Sequence, residues 1–229
     1  MVDGAPSRSK SVSTTYADEM ALPTFWTTAI AKSLSGDQPC LLSTWIGGRY
    51  KEKRPRENAA DLATWKVNHT TQLTEAVDRL KAEGWKCSVE RFFKVTGQHA
   101  IISGKADCIA QQTDKRPLIM DVKSGEPRDS DVIQVAIEMV MIPLAWESPS
   151  MIFDGGVLYK GHQVQVTPAH AADLRPKIVA LLKKLGTIPR PEASPSLSAC
   201  RFCDVPESLC PDRVTVESEP QQVSEVSLF

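Results

Sequence analysis

The sequence predicts a mixed α/β (α+β) domain, and three observations predict it. Residues 58–83 repeat apolar positions at three- and four-residue steps, as a long amphipathic helix does. Three stretches near 88–95, 99–110 and 117–123 then read as strands. A nearly all-apolar helix at about 130–146 follows, and then a hairpin and a further helix. The 229 residues, 41% hydrophobic and 24% charged, suffice for one substantial core.

Taken in order, residues 1–20 are rich in Ser, Thr and small residues without periodicity, which predicts a flexible tail. Residues 21–35 suit a short helix. The stretch "GRYKEKRPR" places Arg49, Lys51, Lys53, Arg54 and Arg56 against Glu52, either as a solvated loop or as a phosphate-contacting patch. In the long helix Leu62, Trp65, His69, Leu73, Val77 and Leu80 share a face, so His69 points inward, and Gly84 ends the helix. The hairpin is expected at 152–159 and 162–167 around Gly161. The last helix, 168–185, carries Lys183 and Lys184 in its final turn and Gly186 as its stop. A proline-rich connector, "IPRPEASPS", leads to clustered cysteines. Residues 21–213 are expected to form a single domain, and the acidic residues 214–229 a disordered tail.

The net charge of −1 gives no global drive towards nucleic acid, so any such site must be a local patch. No run of 18 apolar residues exists and no signal peptide opens the chain, so a soluble, cytoplasmic protein without a membrane partner is expected.

The chemistry concentrates in "GKADCIAQQTDKRPLIMDVKSG". Strand alternation puts Asp121 and Lys123 on one face and turns Val122 the other way, beside Met120 and Leu118. If the strand carrying Asp107 pairs with this one, Asp107 and Asp121 converge on a hard cation through oxygen ligands. Lys123 beside them is placed to orient or activate a water, or to stabilise charge on a phosphate. In the buried helix that follows, Gln134 and Glu138 are polar exceptions one turn apart, and each needs a partner. A buried salt bridge between Lys123 and an aspartate would explain the D-x-K alone. It would not explain Asp107 and Gln134.

"GKADCI…LIMDVKSGEPRDSDVIQVAIEM" resembles the PD-(D/E)XK nuclease superfamily, in its RecB-like and Cas4-like branch. The resemblance implies a central mixed sheet flanked by helices, with Asp107, Asp121, Lys123 and Gln134 as catalytic residues. It implies that His69, Asp107, Asp121 and the Val122 carbonyl hold Mg²⁺ or Mn²⁺. It departs at Glu138, where the family carries a tyrosine. Glu90, in "SVERFF", is either a site residue or a surface acid. A DNA exonuclease acting on single strands or ends is implied, of bacterial or phage origin. The alternative is a DNA-binding or assembly subunit that keeps the fold without catalysis.

Six cysteines need a reason. Cys200, Cys203 and Cys210 form C-x2-C-x6-C, a metal-ligand spacing that lacks a fourth thiolate, for which Cys40 is the candidate. Spacing alone leaves Zn²⁺ and an iron–sulfur cluster open. The resemblance, which covers roughly residues 25–213, implies a [4Fe–4S] cluster stapling the two ends of the domain. Cys87 and Cys108 are expected to be buried, inert thiols. The closing "EVSLF" resembles the peptide that binds bacterial sliding clamps, with Leu228 and Phe229 as its anchors.

Overall fold

A computed structural model describes residues 22–51 and 59–215, with the side chains of 59–62 left out. The tails, Lys53, Arg54, Arg56, Leu228 and Phe229 lie outside the described residues. Six strands form one mixed sheet: β1 (Thr24–Trp26), β2 (Lys86–Thr96), β3 (Ile101–Gln111), β4 (Leu118–Val122), β5 (Asp154–Tyr159) and β6 (His162–Val166). The helices are α1 (Thr27–Ser35), α2 (Leu41–Gly47), α3 (Ala59–Ala82), α4 (Asp129–Ala145), α5 (Pro168–Thr187) and α6 (Leu197–Arg201). Among the described residues no helix is long and apolar enough to cross a membrane.

β3 organises the sheet. One of its edges pairs with β2 along its full length, from Ile101 opposite Thr96 to Gln111 opposite Lys86. The other edge is shared. β4 runs antiparallel to its C-terminal part at Cys108–Ala110, and β1 runs parallel to its start at Ile101–Ser103. Between them residues 104–107 have no strand on that edge, and the sheet forks. In the β3–β4 register the next pair would be Asp107 opposite Asp121, because Cys108 faces Met120. Like charges directly opposite disfavour pairing, and the ladder opens where they would meet. β4 pairs in parallel with β5, and β5 closes the sheet with β6.

Two apolar layers follow from strand alternation. Leu118, Met120, Val122, Cys108 and Ala110 pack with Leu73, Ala76 and Val77 of α3. Ile119 faces the larger core, built with α1, α4 and α5 around Ile30, Val135, Ile137 and Ile178. The expected split of Asp121 from Val122 is therefore present.

Some expectations are corrected. The segment expected to be one short helix begins as β1, because β3 offers it a backbone edge. Gly186 does not end α5, which runs through Thr187. Gly186 is needed because a Cβ there would run into the backbone carbonyl of His99. Gly84, with φ +88°, does follow α3 as a left-handed residue. Trp65, expected on the inward face of α3, is 49% exposed.

Candidate active site

The fork between β3 and β4 collects the polar residues. Asp107 Oδ2 accepts the Val122 amide at 2.9 Å, in place of the ladder bond that the open register lacks. The same oxygen meets His69 Nε2 at 3.1 Å, so α3 reaches the fork from one side. Asp121 lies between β4 and α4 and is 1% exposed. Its Oδ1 accepts from Lys123 Nζ at 3.1 Å and from Gln134 Nε2 at 2.9 Å. Its Oδ2 is 2.9 Å from the same ammonium as an ion pair and has no hydrogen-bond partner of its own.

Gln134 is the hub. Its amide nitrogen donates to Asp121 and, at 3.1 Å, to Glu138 Oε1. Its Oε1 accepts from Lys123 Nζ at 3.3 Å and from Thr28 Oγ1 at 3.4 Å. These four contacts fix which way the amide faces. Glu138 is wholly buried, and its Oε2 has no partner.

The electrostatics follow from this crowding. Burial pushes Asp121 up to about 7; Lys123 opposes that rise and Asp107 adds to it. Burial, then the neighbouring Asp121, hold Glu138 well above the ordinary carboxylate range. Burial disfavours the Lys123 ammonium, yet Asp121, with Asp107 and Asp131 adding to it, more than offsets this and leaves its pKa raised. The hydrogen bond to Asp107 raises His69, against the opposing effect of burial. The fork thus has more acid than base.

The residues suit a hard cation in chemistry, and two of them in spacing. Ligands about 2.1 Å from an octahedral ion stand about 3 Å apart, close to the His69–Asp107 separation. Asp121, engaged by Lys123 and Gln134, does not join them. Among the described residues no three His, Cys, Asp or Glu side chains have the arrangement of a metal site.

A second cluster joins the ends of the domain. Cys40, Cys200, Cys203 and Cys210 line one pocket with Leu42, Ile46 and Val205. All four are free thiols, and Cys40 comes from the N-cap of α2. Burial raises the Cys210 thiol, with Cys40 and Cys203 adding to it. Arg213 fastens this segment by donating to the carbonyls of Cys200, Cys203 and Val205, the last at 2.9 Å. A donor set of sulfur alone fits Zn²⁺ or an iron–sulfur cluster.

The remaining expected residues lie elsewhere. Arg49 donates to the Leu185 carbonyl at 2.8 Å and sits over the Trp45 ring, so its guanidinium joins α2 to α5. Lys51 is exposed. Cys108 is buried, and its thiol is pushed up to about 12 by burial and by Cys87 beside it. Glu90 stands opposite Asp107 with φ 49° and pairs with Lys105 at 2.6 Å. Sequence reasoning missed Thr28, Arg213 and the outward Trp65, which stacks on His69 at 5.2 Å. Only the Trp65–His69 pair had a local signal, the i,i+4 spacing on one helix.

No protein-family model matches the chain, and no curated protein does. Solved structures of similar shape include one described as SSO0001, with TM-score 0.45, 14% identity, and coverage of 85% of this chain and 89% of that one. Another is an alkaline exonuclease, LHK-Exo, from Laribacter hongkongensis. Its TM-score is 0.39 at 11% identity, covering 72% of this chain and 88% of that one.

Proposed function

We propose that this protein is a Mg²⁺- or Mn²⁺-dependent deoxyribonuclease of the RecB/Cas4-like type, acting on single-stranded DNA or DNA ends as an exonuclease. One observation carries the reading. Asp107, Asp121, Lys123 and Gln134 meet at a fork in the sheet, with His69 delivered to Asp107 by another helix. His69, Asp107, Asp121 and the Val122 carbonyl would hold the cation, which supplies Lewis-acid stabilisation to a phosphoryl oxygen. Lys123 then positions the attacking water or a phosphate oxygen as a hydrogen-bond donor. Gln134 holds Lys123 and Asp121 in register for that task. For Asp121, binding a cation means exchanging contacts with Lys123.

The four cysteines would hold a [4Fe–4S] cluster in a structural role, with zinc as the alternative; broad absorbance near ~400 nm distinguishes the cluster. The tail's Leu228 and Phe229 would dock on a bacterial sliding clamp, a contact that deletion of 225–229 should abolish. A cytoplasmic protein of bacterial or phage origin fits this reading.

Degradation of 5′- and 3′-labelled single strands under Mg²⁺ or Mn²⁺ tests the activity, with Asp121→Ala as control. Loss of at least ~10²-fold in Asp121→Ala is expected. The second reading, an assembly subunit without catalysis, is favoured by Glu138, an extra buried acid against Gln134. Intact cluster-loaded protein that leaves DNA uncut with either cation would establish it.

A further inference from the structure

Antiparallel partners share a face, so β2 and β3 place Phe92 beside Lys105 and Lys94 beside Ser103. β1 brings Trp26 to Ser103 on the same level. The Trp26 and Phe92 rings meet edge to face at 6.3 Å. Such a pair normally belongs in a core, yet Trp26 is 49% and Phe92 59% exposed. Lys94 and Lys105 are exposed around them. Two residues beyond Lys105 on β3 comes Asp107, so the patch lies beside the fork. A third exposed ring, Trp65, stacks on His69, which itself touches Asp107.

Resting on the nuclease reading, we propose that the Trp26–Phe92 pair is a stacking platform for unpaired bases of single-stranded DNA, with Lys94 and Lys105 meeting its phosphates. The chemistry selects this occupant. Aromatic faces bind bases of any sequence once they are unstacked, and a duplex does not offer them. The net charge of −1 leaves little electrostatic attraction for a long duplex, so stacking must carry the affinity. Lys105 is paired with Glu90, but an exposed pair of this kind is weak and gives way to a phosphate. The platform holds the strand beside the fork, so Trp26 and Phe92 position the substrate and take no part in bond cleavage.

Binding of a labelled oligothymidylate, an abasic strand of equal length and a duplex is measured with Ca²⁺ in place of Mg²⁺. Trp26→Ala and Phe92→Ala should each weaken oligothymidylate binding roughly 5- to 150-fold. Binding to the abasic strand should not change, and Phe92→Tyr should bind as the parent does. Quenching of tryptophan fluorescence by the oligonucleotide should shrink in Trp26→Phe while affinity persists. Parent-like binding by both alanine variants overturns the platform. So does an equal loss on the abasic strand, equal parent affinity for the duplex, or a loss of self-association with DNA affinity intact. Cleavage is scored separately. DNA cut normally with binding unaltered removes the platform alone, whereas the expected binding losses without any cleavage remove the nuclease reading alone.

Discussion

Replacing Glu138 by glutamine should stabilise the protein, by an amount that grows with pH. The carboxyl is wholly buried on α4, Gln134 satisfies one oxygen, and the other has no partner. Burial holds its pKa well above the ordinary value of 4.5. The folded protein therefore keeps this proton while the unfolded chain releases it. Folded molecules bind more protons in that window, so raising the pH costs stability from about 4.5 upward until the folded-state pKa is passed. One retained proton is worth about 1.4 kcal/mol per pH unit. For a chain of this size that corresponds to roughly 3–5 °C in Tm per pH unit. Glutamine keeps the shape and the bond from Gln134 without a titrating group. The Tm advantage of Glu138→Gln should be constant below the ordinary glutamate pKa and climb above it. Melting both proteins by circular dichroism across mildly acid to neutral pH reads this slope. A difference that is flat with pH, or that shrinks as pH rises, refutes a buried neutral carboxyl at 138.

Other outcomes follow from the same structure. The raised pKa of His69 means that a cation must displace its proton, so Mn²⁺ affinity should strengthen as pH rises through that pKa, above the ordinary 6.5; isothermal titration should show the trend and His69→Ala should lose it. The same hydrogen bond to Asp107 stabilises the metal-free fold below pH 6.5 and is lost as pH rises through the raised value. Cys210→Ser should lower Tm and metal content together, read by melting and elemental analysis; unchanged metal content would refute the four-thiol site. Gly104→Ala should cost about 1–3 kcal/mol, because its Cβ would run into Thr27 Oγ1 and lie 2.6 Å from the Phe93 ring; chemical unfolding measures it.

Much of the site was legible because alternation is a local rule. Val122 among apolar neighbours implied that Asp121 and Lys123 face the other way, and the structure separates them in this manner. Gln134 and Glu138 stood out because everything around them on α4 is apolar. What was hidden depends on partners distant in sequence. β1 is three residues long and exists only because β3 offers it an edge. The fork arises from where β1 and β4 stop, which no window of sequence contains. Arg49 looked like one member of a basic run, yet its guanidinium is tied to Leu185. Trp65 followed the apolar period of α3 and yet is 49% exposed, stacked on His69.

The cysteine pocket also sets an order of events during synthesis. β3, β4 and α4 are contiguous in the chain, so the fork can assemble soon after Glu138 has emerged. Cys40 leaves the ribosome long before them, but its companions Cys200, Cys203 and Cys210 follow only after α5, with Arg213 to fasten them. The strands of the polar centre therefore emerge before three of the four thiols, and the nascent chain carries Cys40 without these companions, beside Leu42 and Ile46, until residues 200–213 have been made.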